Sequence, residues 1–126
     1  MPRKSPDKYL LDMMLAGQRI QRFLSGYDKQ RFVADEKTIS AVERQFEILG
    51  EAARQVDQAT RQKFPQIDFR KVVGMRNVIA HDYENIRINT MWNTAHKQVP
   101  ELIQALQPYL NRLHEREQER DTPEPE

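Results

Sequence analysis

The segment from Arg76 to Tyr83 carries the side chains of this 126-residue chain that are best suited to chemistry on a phosphate group. The Arg76 guanidinium can bind two phosphate oxygens at once and keeps its charge at physiological pH. Histidine is the residue type best suited to accept or donate a proton at physiological pH, and His81 is the histidine of this segment. Asn77 can orient the imidazole or hydrogen-bond the phosphate. These residue types indicate proton transfer beside a bound phosphate.

The composition excludes several other kinds of chemistry. The chain has no cysteine, which rules out disulfides, thiol catalysis and cysteine-ligated metal sites. His81, Asp82 and Glu84 are metal-ligand types, but three side chains this close on one helix cannot all converge on one ion. Lys and Arg number 20 against 19 Asp and Glu, so the formal net charge is +1. Any phosphate site must therefore be local rather than a broad basic surface.

Structural roles compete with these chemical ones. Arg76 could form an ion pair with a carboxylate such as Glu47 or Glu51. His81 could complement the negative end of a helix dipole. Tyr83 could be a core tyrosine whose hydroxyl reaches the rim of the core. The residue types alone leave both kinds of role open.

Helix signals predict the elements that carry this segment. Three residues have the type and context of helix N-caps, namely Ser5, Asp35 and Asp68. Apolar residues recur behind them at steps of three and four, which is typical of a helix with one buried face. The four main predicted helices run from Pro6 to about Ser25, from Asp35 to about Val56, from Phe69 to Ala80 or Tyr83, and from Asn89 to Leu113. A short extra turn or helix is predicted at 31–34, and a connection at 85–89.

These elements predict an all-α fold, an antiparallel four-helix bundle. Pro100 and Pro108 lie inside the last predicted helix and should kink it. The bundle occupies residues 5–114, a disordered segment at 1–4 precedes it, and the charged segment 115–126 should leave it and fray. No apolar run is long enough for a membrane helix, so we expect a soluble, cytoplasmic protein without a membrane partner.

The third predicted helix is apolar nearly all round. Val72 and Ile79 share one side of the helical wheel, whereas Val78 lies on the far side. One thin bundle covers only one side of such a helix, so we expect a homodimer with this helix in the interface. Arg76 and His81 also lie on different sides of the wheel. Bringing both to one phosphate requires either an opened last turn or a second subunit.

A known family signature matches the same segment. Arg76 is followed after four residues by His81, and after one further residue by Tyr83, which resembles the motif of the HEPN superfamily and in particular of its HepT-like toxin branch. The flanking segments 48–52, 64–65, 73–77 and 99–102 also resemble that branch. An Arg-x4-His pattern alone is a weak signal, but four flanking segments in the same order make it strong. The resemblance extends from about Asp7 to Leu113.

The resemblance implies a homodimeric, metal-independent endoribonuclease without a cofactor, the toxin component of a type II/VII-like toxin–antitoxin system. In the family, Arg and His from two protomers form one composite cleft that cuts RNA, which assigns catalysis to Arg76 and His81 with Asn77 beside them. The antitoxin is a minimal nucleotidyltransferase, which uses ATP and Mg²⁺ to attach AMP to the tyrosine that matches Tyr83. Asp82 stands where many relatives carry Gly, and it adds a negative charge beside the site.

Two further assignments stay open at this stage. Arg70 and Lys71, near the start of the third predicted helix, could contact RNA or simply face solvent. A catalytically silent helical dimer that serves as the binding partner or substrate of a nucleotidyltransferase would use the same fold and the same tyrosine. RNA cleavage that is lost on changing His81 would distinguish the ribonuclease from this alternative.

Overall fold

Capping side chains begin the helices that the sequence predicts. The structure, a computed structural model, describes residues 4–121, and this range folds into helices without a strand. The caps Ser5, Asp35 and Asp68 each accept a hydrogen bond from a backbone N–H in the first turn that follows. The helices are α1 (Pro6–Leu24), α2 (Lys29–Ala34), α3 (Glu36–Gln55), α4 (Gln58–Arg61), α5 (Phe69–His81), α6 (Glu84–His96) and α7 (Gln98–Asp121). The all-α prediction is confirmed.

An apolar core holds the long helices together. α1 packs along α3, and these two helices in turn pack against α7 and α5, respectively. Burial of each large apolar side chain stabilises the fold by about 1.5–3 kcal/mol relative to leaving it exposed. The largest are Leu10, Met13, Ile20, Phe32, Val42, Phe46, Leu49, Val72, Met75, Met91, Leu102 and Leu106. The core therefore fixes α5 on α3, and this contact positions the predicted site.

The prediction was wrong between residues 84 and 97. The predicted connection at 85–89 belongs to α6, and the predicted last helix is divided at Lys97 into α6 and α7. Pro100 explains the division, because it has no N–H to bond the carbonyl of His96 and its ring would clash with that carbonyl in a continuous helix. Pro100 thus lies in the first turn of α7, whereas Pro108 lies in the interior of that helix.

The last helix is longer than predicted. α7 continues past the predicted end at Leu113 to Asp121, and its side chains are exposed from residue 114 onward. The first part of the segment predicted to fray, 115–121, is thus helical. Its remainder, 122–126, and positions 1–3 of the predicted N-terminal segment lie outside the described residues. None of the helices between residues 4 and 121 combines the length and the apolar character that crossing a membrane requires.

Candidate active site

Arg76 lies where α5 approaches α3 closely, at Gly50. A Cβ atom on Gly50 would lie 3.4 Å from Cγ of Arg76 and 3.4 Å from the backbone oxygen of Val72. Because Gly50 carries no side chain, the aliphatic stem of Arg76 can lie against α3. Its guanidinium then reaches the next residue of α3, and Nη1 of Arg76 donates a hydrogen bond to Oε2 of Glu51 at 2.8 Å.

Glu51 is shared by several donors. Arg54 donates to its Oε1 at 2.8 Å, and Gln55 donates to the same oxygen at 3.1 Å. These hydrogen bonds, together with the charges of Arg54 and Arg76, hold the pKa of Glu51 below its usual range, so the carboxylate stays ionised. The ion pair that competes with a catalytic role for Arg76 therefore exists. It leaves the Arg76 side chain 53% exposed, and a ligand can still reach the guanidinium.

His81 is the last residue of α5, and the helix does not open before it. The backbone N–H of Asp82 still donates to the carbonyl of Val78 at 3.1 Å, which completes the final turn. At about 100° per residue, Arg76 and His81 therefore lie about 140° apart around the helix axis. The opened last turn, one of the two arrangements that the sequence allowed, is wrong. Both side chains, and Asn77 between them, are exposed.

Tyr83 lies in the short junction between α5 and α6. Asp82 and Tyr83 have extended backbone angles, and Tyr83 is the N-cap of α6 without a capping hydrogen bond from its side chain. The Tyr83 side chain is 83% exposed. A role as a core tyrosine is therefore wrong, and the phenol is exposed to solvent.

The sequence analysis missed an ion pair directly behind this junction. Arg87 lies one turn after Tyr83, and its Nη1 donates to Oε2 of Glu43 on α3 at 2.9 Å. Both side chains are mostly buried, at 24% and 22% exposure. The pair fixes the start of α6 to α3. Arg87 follows Tyr83 by four residues, a spacing that places Arg87 one helical turn after Tyr83 only if 85–89 is helical. That segment was predicted as a connection, so the position of Arg87 was not recognised.

A cleft of about 660 Å³ lies in front of Arg76, between α3 and α5. Carboxylates at four-residue steps along α3 line one wall, namely Glu43, Glu47 and Glu51, and Arg76, Ile79 and Ala80 line the other. No three carboxylate or imidazole side chains of residues 4–121 gather closely enough to hold a metal ion. Because Glu51 already binds Arg76, an anionic ligand at Arg76 must compete with this carboxylate.

Arg70 and Lys71 lie away from this cleft. Both are exposed, and with Gly74 and Val78 they line a smaller cleft of about 310 Å³ against α6. Around the axis of α5, Arg70 lies only about 20° from His81 and about 16 Å from it along the helix. Arg70 thus lies on the His81 side of α5 rather than on the Arg76 side.

Exposed Arg, His and Tyr residues at this spacing, at the end of one helix of an all-helical chain, define a protein of the HEPN class. The family model described as HepT-like, "Ribonuclease HepT-like", matches residues 13–109. The chain belongs to this family. It is 30% identical to "Probable ribonuclease HepT" of Thermococcus cleftensis, over 79% of this chain and 91% of that protein. It is 28% identical to "Putative RNase MJ0125" of Methanocaldococcus jannaschii, over 92% of this chain and 100% of that protein.

Family membership confirms the predicted resemblance and the predicted enzyme class, ribonuclease. Comparison with solved structures gives no significant match. The individual roles of Arg76, Asn77, His81 and Tyr83 remain predictions, which the geometry above makes specific enough to test.

Proposed function

We propose that this protein is the toxin of a toxin–antitoxin pair and cuts RNA as a homodimer, without a metal ion. Membership of the ribonuclease HepT-like family supports RNA as the substrate. The observation that carries the proposal is the position of Arg76 and His81, which are both exposed but face different sides of an intact α5. One chain cannot bring both side chains to one phosphate, whereas a second copy can supply the missing one.

In the proposed reaction, the 2′-hydroxyl of the substrate is the nucleophile. His81 of one protomer takes the proton from this hydroxyl, and the oxygen attacks the adjacent phosphorus. Arg76 binds the non-bridging oxygens and stabilises the charge of the phosphorane. The proton that His81 has taken up is returned, through a water molecule, to the 5′-oxygen as its bond to phosphorus breaks. The products are a 2′,3′-cyclic phosphate and a 5′-hydroxyl, and Asn77 orients the imidazole or the phosphate.

The antitoxin in this proposal is a minimal nucleotidyltransferase that modifies Tyr83. The exposed phenol attacks the α-phosphorus of ATP, the bond to pyrophosphate breaks, and the phenolic proton is released. Each AMP unit brings a phosphate that pairs with an arginine of the cleft and takes the place of the RNA backbone. Inhibition is therefore electrostatic and steric, and it does not require the bundle to unfold.

A second candidate function is favoured by the acidic surroundings of the motif. Glu51 already binds Arg76, and Asp82 adds a negative charge directly after His81. A chain in which these carboxylates keep RNA away would be a catalytically silent dimer, and it would serve as the binding partner or modification substrate of a nucleotidyltransferase.

One assay separates the two candidates. RNA is incubated with the wild type, with His81→Ala and with the matched control His114→Ala, each with and without EDTA. We expect cleavage by the wild type and the control, retained in EDTA and ending in 2′,3′-cyclic phosphates, and a loss of about 10²–10⁴-fold for His81→Ala. No cleavage by any of the three would support the silent dimer. Cleavage that needs added Mg²⁺ or Mn²⁺ would contradict the proposed mechanism.

A further inference from the structure

One outward face of α3 forms a ridge between two grooves. Arg44, Ile48, Glu51 and Gln55 recur at steps of four, three and four, and Glu47 lies beside Ile48, so these residues share one face, which we call the Ile48 face. A groove of about 850 Å³ separates it from α1, and the cleft in front of Arg76 separates it from α5. A helical ridge with a groove on each side is the shape that packs into the grooves of another helix pair.

Apolar side chains line both grooves. Leu15 of α1 is 39% exposed in the first groove, and Ile48 on the ridge is half-buried. Ile79, half-buried, and Ala80, exposed, line the second groove. These residues supply apolar surface for a partner to cover, and the surrounding charges determine which partner fits.

The charges of the Ile48 face complement an inverted copy of the same face. Arg44 and Glu51 lie two turns apart, within about 20° of each other around the axis of α3. Their midpoint falls between Glu47 and Ile48. If α3 of a second protomer crosses this midpoint in the antiparallel direction, Arg44 of each protomer lies beside Glu51 of the other. The twofold symmetry makes two such pairs. An isologous twofold interface requires this kind of self-complementarity.

Arg44 is available for such a contact. In the single chain its side chain is 68% exposed, and among residues 4–121 its ion-pair partner is Glu47 of the same helix, at 3.3 Å. An exposed ion pair within one helix stabilises the fold only weakly, so Arg44 can exchange it for a partner across an interface at little cost. The carboxylate that Arg44 would bind across the interface, Glu51, is the one that binds Arg76 within the single chain.

We infer that the Ile48 face binds a second copy of this chain, and that Arg44 of the second copy binds Glu51 and releases Arg76 for the RNA phosphate. This inference rests on the homodimer of the proposed function and adds to it the interface, its register and the role of Arg44. Assembly then activates the site directly. A monomer keeps Arg76 on Glu51, and a dimer presents a free guanidinium beneath the contact between the two α3 helices.

Charge reversal tests the interface. Sedimentation velocity is measured for the wild type, Arg44→Glu, Glu51→Arg and the control Arg112→Glu, which reverses a charge on the exposed face of α7. Two like-charged pairs in each altered homodimer should raise its dissociation constant at least about 100-fold, and the control should stay dimeric. An equimolar mixture of Arg44→Glu and Glu51→Arg should regain dimers, because the heterodimer has two opposite-charge pairs. Ile48→Lys, which changes the centre of the face, should also be monomeric.

The outcomes separate this inference from the proposed function. If the wild type is a monomer at concentrations at which it cuts RNA, both the composite site and the Ile48 interface are overturned. A dimer that survives Arg44→Glu and Ile48→Lys, or a mixture without dimers, overturns the Ile48 face and leaves the composite site standing. The release of Arg76 has its own readout. At concentrations that make Arg44→Ala dimeric, its KM for RNA should stay several-fold above that of the wild type, and an unchanged KM would overturn the release.

Discussion

Nη1 of Arg76 lies 2.8 Å from Oε2 of Glu51, and this ion pair joins α5 to α3 beside the one residue there that has no side chain, Gly50. Both charged side chains are about half exposed, at 53% and 48%. An ion pair with that exposure contributes about 0–1 kcal/mol to folding. Arg76 is therefore placed where it can exchange its carboxylate for a phosphate at little cost to the fold.

Arg76→Lys should separate stability from activity. Lysine keeps the charge and most of the stem, so the free energy of unfolding should change by less than about 1 kcal/mol in urea denaturation. RNA cleavage should fall at least about 10²-fold, because the bidentate contact with phosphate is lost. The control Arg54→Lys changes the other arginine that binds Glu51, and it should cut RNA at close to the wild-type rate. Equal losses for the two variants would contradict a direct role for Arg76.

Gly50→Val should disturb both the fold and the site. The first carbon of any side chain there already touches Arg76 and the backbone of Val72 at 3.4 Å, so alanine fits and a branched side chain does not. We expect the free energy of unfolding to fall by about 1–3 kcal/mol for valine, and to change much less for Gly50→Ala. Denaturation curves for both variants provide the measurement. Equal stability of the valine variant and the wild type would show that α5 does not need this close approach.

Tyr83→Phe should block modification by the nucleotidyltransferase that we propose as the antitoxin. The wild type, incubated with that enzyme, ATP and Mg²⁺, should gain the mass of one or more AMP units and lose RNA cleavage. The Phe variant should gain no mass and stay active, because the phenolic nucleophile is missing. Tyr9→Phe is the matched control, since Tyr9 is half-buried on α1, and this variant should be modified like the wild type. Modification and neutralisation of the Tyr83 variant would assign the antitoxin's contact to another residue.

Asp35 should make the stability of the bundle sensitive to acid. Hydrogen bonds from Tyr27 and then Thr38 lower the pKa of this carboxyl from 3.8 to about 2. A folded-state pKa below the unfolded one stabilises the fold fully above about pH 4, and this contribution is lost as the pH falls towards 2. Thermal denaturation of the wild type and Asp35→Asn should therefore differ at pH 7 and converge towards pH 2. A constant difference between the two melting temperatures would contradict the assignment.

Local signals were the reliable part of the sequence. Ser5, Asp35 and Asp68 were readable as caps because a capping hydrogen bond joins residues three apart in the chain. The start of α6 was not readable, because Asn85 and Asn89 have weak helix propensity and only packing against the core makes this segment helical. The exact position of the break at Lys97 was not readable either. Pro100 predicts that the helix is disrupted nearby, but it does not give the residue at which one helix ends and the next begins.

The candidate site was predicted by residue type but not by geometry. Arg76, Asn77, His81 and Tyr83 were predicted as site residues from their types and spacing; all four are exposed in the structure, and their roles stay predictions. For Arg76 the sequence offered Glu47 or Glu51 as an ion-pair partner, and the structure selects Glu51. The partner of Arg87 was not predicted, because Glu43 is separated from it by 44 residues along the chain, a relationship that helical periodicity does not contain. The intact last turn of α5 is the observation that leads to the proposal of a second protomer at the site.

The most direct test of the composite site is complementation between two inactive variants. Arg76→Ala and His81→Ala are each purified, shown to be folded by circular dichroism, assayed alone, and then mixed and left to exchange subunits before RNA is added. Each variant alone should lose at least about 10²-fold in rate, and the mixture should recover to at least about 10-fold above either, because a heterodimer has one Arg76 and one His81 on opposite protomers. Subunit exchange without any recovery of cleavage would contradict a site that is built from two chains.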